Sequence, residues 1–155
     1  MSETKVKYSF NFLDLPTQKS PRLDLYKSYF TEYDPLKWKK GSGGGCFKFF
    51  DGRVSMFSLV ISEDSSMGIM LVYEHRNKKE RRTIEKWVSI GSKELLGTFK
   101  ENEEEQKVSS GAYMQPHDAW MAVAEFMSNP TNLPKSITWI SALDLNRLNN
   151  GKEQD

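Results

Sequence analysis

The sequence contains a single cysteine, Cys46, in 155 residues. One thiol excludes an internal disulfide framework and any metal site built from several thiolates, which fits a reducing compartment. The sequence also has no apolar run of the ~20 residues that a membrane span requires, and its first residues contain no apolar stretch of signal-peptide length. We therefore expect a soluble, cytoplasmic protein with no membrane partner.

An excess of charge of either sign is also lacking, because 22 basic residues face 21 acidic ones and the formal net charge is +1. No overall field would draw the chain to nucleic acid, so a charged partner has to be met by a local patch. The length suits one folded domain. We predict a single domain over residues 1–145 and a flexible polar tail over residues 146–155.

Recognisable catalytic and cofactor motifs are missing as well. The glycine run 41–45 is followed by Cys46 and Phe47, whereas a phosphate-binding loop needs a lysine, a hydroxyl and a helix there. This run is better interpreted as a flexible joint or turn into a strand. Cys46 as a nucleophile would need His75 or His117 beside it, and a structural cysteine is the favoured interpretation. Neither histidine has zinc-site spacing, so we predict no enzyme activity, no cofactor and no metal.

The segments that are present predict an antiparallel sheet. Asp51-Gly52 lies between two β-prone runs and indicates a hairpin, and the runs 67–75 and 83–90 extend it as a meander. Residues 8–12 and 136–140 suit further short strands, 94–100 a weaker one, and 23–30 a short helix. The predicted fold class is α+β, with a sheet of four to six strands.

One amphipathic helix is predicted near the C-terminus, packed on one face of the sheet. Pro116 suits the first helical position, Asp118 the first turn, and Asn129-Pro130 would end the helix after Ser128. The predicted core is Phe47, Phe49, Met56, Leu59, Ile61, Ile69, Leu71, Trp87, Trp120, Val123, Phe126, Met127 and Trp139.

Two charged blocks are candidate contact surfaces, although a solvated loop is the commoner meaning of each. The basic loop 76–82 predicts an alternative function as an RNA- or single-strand-binding module, with Trp87 or Phe49 stacking on bases. Interleaved glutamates weaken its field, so nucleic acid is the less favoured partner. The acidic block 101–105 lies in the segment ENEEEQK, and the pair Glu63 and Asp64 lies in a predicted hairpin turn.

The segment YMQPHDAWMAVAEFMSNPTNLPKSITWI (113–140) resembles an immunity-protein family of bacterial polymorphic toxin systems. The features that match are Pro116 at the helix start, Phe126 near its end, Pro134 in the turn and Trp139 on the strand; the family's turn usually has glycine where this chain has Asn129-Pro130. The paired runs 46–61 and 67–76 are similar to the family's sheet, so the resemblance covers about residues 45 to 140.

This resemblance implies a cytoplasmic protein that binds a cognate toxin domain and blocks its active site, nucleic-acid deaminases being frequent toxin partners. Inhibition by occlusion requires a complementary surface and no chemistry. A toxin that acts on nucleic acid has a basic substrate groove, which an acidic patch would match. The predicted toxin contacts are Glu101, Glu103, Glu104, Glu105, Glu63, Asp64 and Trp38.

Overall fold

The structure is a computed structural model that describes residues 6–41 and 43–153. It confirms the predicted α+β class. An antiparallel sheet and the helices packed on it together make up most of the described chain. The strands are β1 (Lys7–Phe12), β2 (Gly44–Phe50), β3 (Ser55–Asp64), β4 (Gly68–Asn77), β5 (Arg82–Ile90), β6 (Phe99–Glu101), β7 (Lys107–Ser109) and β8 (Thr138–Ser141). The helices are α1 (Leu23–Thr31), α2 (Pro35–Lys39), α3 (Pro116–Ser128) and α4 (Ala142–Glu153), with short 3₁₀ turns at Lys93–Leu95 and Ser110–Ala112.

The main sheet has six strands in the order β1-β2-β3-β4-β5-β8, and β6 pairs with β7 in a separate hairpin. The predicted turn between β2 and β3 is confirmed: Gly52 has φ of +86°, and Asp51 Oδ1 accepts hydrogen bonds from the N–H groups of Arg53 and Ser55. A positive φ is a conformation that glycine adopts without a steric penalty. The Asp-Gly pair therefore fixes the register of the first two meander strands.

Gly44 and Gly45, at the end of the glycine run, are the first two residues of β2. A Cβ atom on Gly44 would lie 2.0 Å from the carbonyl oxygen of Ile61, and one on Gly45 would lie 2.6 Å from the carbonyl oxygen of Asn11. Gly44 and Gly45 are therefore required because the β1 and β3 backbones approach β2 too closely for any side chain. Of the two interpretations given above, the entry into a strand is confirmed for these two positions.

The main core lies between one face of the sheet and helices α1 and α3. Of the predicted core residues, ten are buried, among them Trp120 and Phe126 on α3. Met56, Trp87 and Trp139 are only half-buried. Met56 alternates with Phe57 along β3, and it is Phe57 that points into the core. The sequence analysis thus placed Met56 on the wrong face, although it placed Leu59 and Ile61 of the same strand correctly. Side chains alternate along a strand, so Met56 points away from the face of Leu59 and Ile61.

Helices α1 and α3 match the predicted helices, whereas α2 was not predicted. Asp34 caps α2, accepting a hydrogen bond from the N–H of Leu36 at 3.0 Å, and Pro35 begins it. These are standard signals for the start of a helix. The weak run 94–100 overlaps a 3₁₀ turn and the short strand β6, and it does not form a strand of the main sheet.

The C-terminal segment also differs from its prediction. Residues 146–153, predicted as part of a flexible polar tail, belong to helix α4. Leu145 of α4 packs with Val88, Tyr113 and Ile140 in a smaller apolar cluster on the second face of the sheet. Apolar contacts from one turn of α4 are enough to attach the helix to the sheet, although the rest of it is polar. Composition alone does not reveal such contacts.

Candidate functional site

The second face of the sheet is covered over only part of its width. Beneath β4, β5 and β8 it is closed by the smaller apolar cluster, whereas on β1, β2 and β3 it remains accessible. Val60 of β3 is 38 % exposed there, Asn11 of β1 is exposed and Cys46 of β2 is half-buried. We call this accessible region of β1, β2 and β3 the open face.

A groove of about 820 Å³ crosses one end of the open face. Cys46 and Val60, which are paired across β2 and β3, lie on its floor. The glycine run forms one side, and the turn between β6 and β7, with Glu103 and Glu104, forms the other. Glu63 and Asp64 at the end of β3 also line it. We call this feature the acidic groove.

Reciprocal hydrogen bonds join the end of β3 and the turn after it to the turn between β6 and β7. Asp64 Oδ2 accepts a hydrogen bond from the N–H of Glu103 at 2.9 Å, and Glu103 Oε1 accepts one from the N–H of Ser65 at 2.7 Å. Lys39 Nζ forms an ion pair with Glu103 Oε2 at 3.1 Å. The structure thus brings together the two acidic segments that the sequence analysis named as one set of predicted contacts.

Asp64 is the buried centre of this arrangement, with 2 % of its surface exposed. Burial alone would raise the pKa of its carboxyl. The hydroxyl of Ser66 and the N–H groups of Glu103, Ser66 and Met67 outweigh burial and hold the pKa below its usual range. Asp64 is therefore ionised and fully engaged, and it supports the groove instead of offering a free carboxylate.

Glu63 is in a different electrostatic situation from its neighbour. Its carboxylate accepts a hydrogen bond from the hydroxyl of Tyr33. Burial raises the pKa of Glu63, with a further contribution from the negative charges of Glu103 and Asp64. Burial and the bond to Glu63 also raise the pKa of Tyr33. Tyr33 and Lys39 were missed by the sequence analysis, because only the fold brings the α1–α2 region to the end of β3.

Of the remaining predicted toxin contacts, only Glu104 lines the acidic groove. Glu104 is exposed and lines the groove, whereas Glu101 and Glu105 are exposed but do not line it. Trp38 is completely buried, and its indole N–H donates to the carbonyl oxygen of Tyr29 at 3.2 Å. Its side chain therefore has no surface to contact a toxin, and that prediction is corrected.

Cys46 does not lie beside His75 or His117, so neither cysteine–histidine pair considered from the sequence is formed. Cys46 faces the groove, while His75 stacks on Phe57 at a ring distance of 4.2 Å on the helix-covered face. His117 is exposed on the first turn of α3, which packs on that same face. Burial raises the pKa of the Cys46 thiol more than nearby Lys48 lowers it, which disfavours the thiolate that a nucleophile requires.

The stacking surfaces of the alternative nucleic-acid site are not available as predicted. Phe49 is buried in the core, and Trp87 is half-buried with its indole N–H donating to Glu85 at 2.8 Å. Within the basic block, Arg76 pairs with Glu74 and Arg82 pairs with Glu80. Two of the five lysines and arginines in the block are therefore paired with acidic neighbours.

The fold and the groove define an α+β domain whose sheet has one covered face and one partly open face with an acidic groove at one end. No protein-family model and no curated protein matches the chain. Over residues 6–41 and 43–153, no helix is long and apolar enough to cross a membrane. Over the same ranges, no three of the His, Cys, Asp and Glu side chains are grouped to hold a metal ion.

Proposed function

We propose that the acidic groove is a docking site for a basic protein surface, and that the chain is a cytoplasmic immunity protein that covers the active site of a cognate bacterial toxin. The observation that carries this proposal is the convergence of two acidic segments. Asp64 and Glu103 are 39 residues apart in sequence and are hydrogen-bonded to each other at the rim of one groove. The resemblance of residues 45 to 140 to immunity proteins supplies the kind of partner.

The charge of the groove suits a toxin that acts on nucleic acid. Such an enzyme binds phosphates with lysine and arginine, so its active site would be attracted to Glu63, Glu103 and Glu104. Opposite charges also steer two proteins together and raise the association rate. Binding here would place acidic side chains where the toxin's substrate phosphates would otherwise lie.

The rigidity of the groove favours tight binding. Hydrogen bonds from Ser65 and the ion pair with Lys39 hold the Glu103 carboxylate in place before any partner arrives. A pre-positioned side chain loses less conformational entropy on binding. A stable interface buries roughly 1,600 Å² in total, so the partner would also cover neighbouring parts of the open face, including exposed Val60.

The proposal is tested by co-expressing the chain with the toxin domain encoded immediately upstream of its gene. We expect growth to be restored, a one-to-one complex to survive gel filtration, and the toxin's activity in that complex to be suppressed. If toxicity is unrelieved and no complex forms, the proposed function is wrong.

Charge reversal locates the contact surface. Glu104→Lys changes an exposed residue of the groove, and Glu94→Lys is the matched control on an exposed 3₁₀ turn that does not line it. We expect Glu104→Lys to slow association and weaken its salt dependence in stopped-flow measurements, with Glu94→Lys close to wild type. Reversing Glu103, Glu104 and Glu105 together should enlarge the effect. Equal rates for the Glu104 and Glu94 variants would mean that the toxin binds elsewhere.

A further inference from the structure

A second cavity lies at the opposite end of the open face and has the opposite charge. Its volume is about 570 Å³, within the range of about 300–1,000 Å³ typical of small-molecule sites. Four lysines line it, and none of its lining residues is acidic. We call it the lysine cavity, formed by Lys7, Lys19, Lys48 and Lys78 around Phe50 and Met56.

The lysines come from separate segments that the fold holds together. Lys7 lies on β1 opposite Phe50, and Lys48 lies on β2 two residues before Phe50, so the two lysines are diagonal neighbours on one face. Such positions are about 7–8 Å apart between Cα atoms. Lys19 joins them because an isolated bridge between Phe10 and Gln18 brings the chain after β1 back alongside it.

Lys78 is fixed by two contacts of its own. Its backbone N–H donates to the carbonyl oxygen of Val54 at 2.7 Å, which attaches the β4–β5 turn to the β2–β3 turn. Its ammonium lies 4.9 Å from the centre of the Phe50 ring, a cation–π distance. The cavity therefore has an apolar floor with a positioned cation above it.

This concentration of positive charge is not balanced within the part of the chain that the structure describes. Over residues 6–41 and 43–150, Lys7, Lys19, Lys48 and Lys78 form no ion pair with an acidic side chain, in contrast to Lys39 or Arg82. Like charges that line one cavity repel one another, and a multiply charged anion would relieve that repulsion. A terminal phosphate carries about −2 at neutral pH, and lysine is a common phosphate ligand.

We propose that the lysine cavity binds a small ligand that carries two or more phosphate groups, such as a nucleoside polyphosphate. The phosphates would lie among the four ammonium groups, and the apolar floor at Phe50 and Met56 would contact the uncharged part of the ligand. The site is separate from the acidic groove, and the proposal does not depend on the proposed function.

Isothermal titration calorimetry of the full chain with sodium tripolyphosphate and with ATP tests the proposal. We expect both probes to bind saturably with one-to-one stoichiometry, and we expect their affinity to fall as salt is added. ATP should bind more tightly than tripolyphosphate because the apolar floor would contact its base. Lys48→Gln and Lys78→Gln should each weaken binding about fivefold, since an exposed charge contact contributes about that factor. Lys86→Gln is the matched control, an exposed lysine of β5 outside the cavity, and should bind like wild type.

Two outcomes would overturn the proposal. One is the absence of saturable binding of either probe at low salt. The other is a loss of affinity that is the same for Lys86→Gln as for Lys48→Gln, which would indicate nonspecific attraction. A single-stranded oligonucleotide of ten nucleotides is titrated in parallel. If it binds far more tightly than ATP and loses affinity in the cavity variants, the ligand is a nucleic-acid backbone and the small-ligand proposal is wrong.

Discussion

Tyr26 carries a polar atom that the core does not satisfy. Its ring packs against Phe12 at 5.4 Å and Phe47 at 5.0 Å between ring centres. Its hydroxyl is buried with no hydrogen-bond partner among the residues that the structure describes, and burial raises the pKa of that hydroxyl. A buried polar group without a partner costs free energy that a phenylalanine would not.

Replacing Tyr26 by phenylalanine should therefore stabilise the protein. We expect Tyr26→Phe to raise the free energy of unfolding by about 1 kcal/mol in urea titrations, since the ring contacts are kept. Tyr73→Phe is the matched control, because the Tyr73 hydroxyl donates to the carbonyl oxygen of Pro130 at 3.3 Å. That variant should lose about 1 kcal/mol. A similar loss for both variants would show that the Tyr26 hydroxyl has a partner.

Glu63 should make stability depend on pH. Its pKa is raised in the folded state, so its favourable contribution is complete below the unfolded pKa of about 4.3 and is lost as pH rises through the folded value. Asp64 acts in the opposite direction: its lowered pKa gives a contribution that is lost at acidic pH. The two effects occupy different pH ranges and can be separated.

Glu63→Gln keeps an acceptor for the Tyr33 hydroxyl and removes the charge. We expect the variant to be more stable than wild type at pH 8 and to lose less stability between pH 4.5 and pH 8, as followed by thermal unfolding with circular dichroism. Glu105→Gln, an exposed residue that does not line the groove, should keep the wild-type dependence. Parallel pH curves for wild type and Glu63→Gln would contradict this prediction.

At the scale of elements, Asp64 attaches the β6–β7 hairpin to the end of β3. It accepts the N–H of Glu103 from that hairpin and the N–H of Ser66 from its own turn at 2.9 Å each. Asp64→Asn exchanges one carboxylate oxygen for a donor, so at least one of these bonds is lost. We expect a loss of about 1–3 kcal/mol in unfolding free energy.

Hydrogen exchange would show that this loss is local to the hairpin. The Glu103 amide should exchange faster in Asp64→Asn, while amides in the centre of β3 should change only by the global loss of stability. Asp51→Asn is a comparable control in a different turn, since Asp51 also accepts two N–H groups. Unchanged protection of Glu103 in Asp64→Asn would mean that the hairpin is held by other contacts.

Local signals were sufficient to predict several elements. The Asp51-Gly52 turn and helix α3 follow from glycine and proline chemistry together with apolar periodicity, and both are confirmed. The acidic groove could be predicted only in part. Glu63 and Glu103 were selected for their charge, but their meeting depends on the long-range bond of Asp64, which no local pattern encodes.

The failures have physical causes of the same kind. Trp38 was predicted to contact the toxin, yet it lies on α2 and its side chain is buried in the core. Met56 and Phe57 are consecutive apolar residues, so their residue types do not show which of them faces the core. The register of β3 decides which one is buried. Helix α4 is held by tertiary contacts of Leu145 on the smaller apolar cluster.

At the scale of the whole molecule, two apolar clusters share the same strands. In β4, Tyr73 points into the main core and Val72 into the smaller cluster, and β5 is divided in the same way between Trp87 and Val88. A substitution that disturbs the backbone of these strands on one face therefore also disturbs the packing on the other face. We expect both faces to unfold together in one transition.

Truncation on each face tests this cooperativity. Trp120→Ala in the main core should cost about 3–5 kcal/mol, and Val88→Ala in the smaller cluster about 2 kcal/mol. For each variant, urea unfolding followed by tryptophan fluorescence should coincide with unfolding followed by circular dichroism, with an unchanged slope. Met121→Ala, on the half-exposed side of α3, is the control and should change little. If Val88→Ala shifted one transition and not the other, the smaller cluster and α4 would form a separate unit that opens on its own.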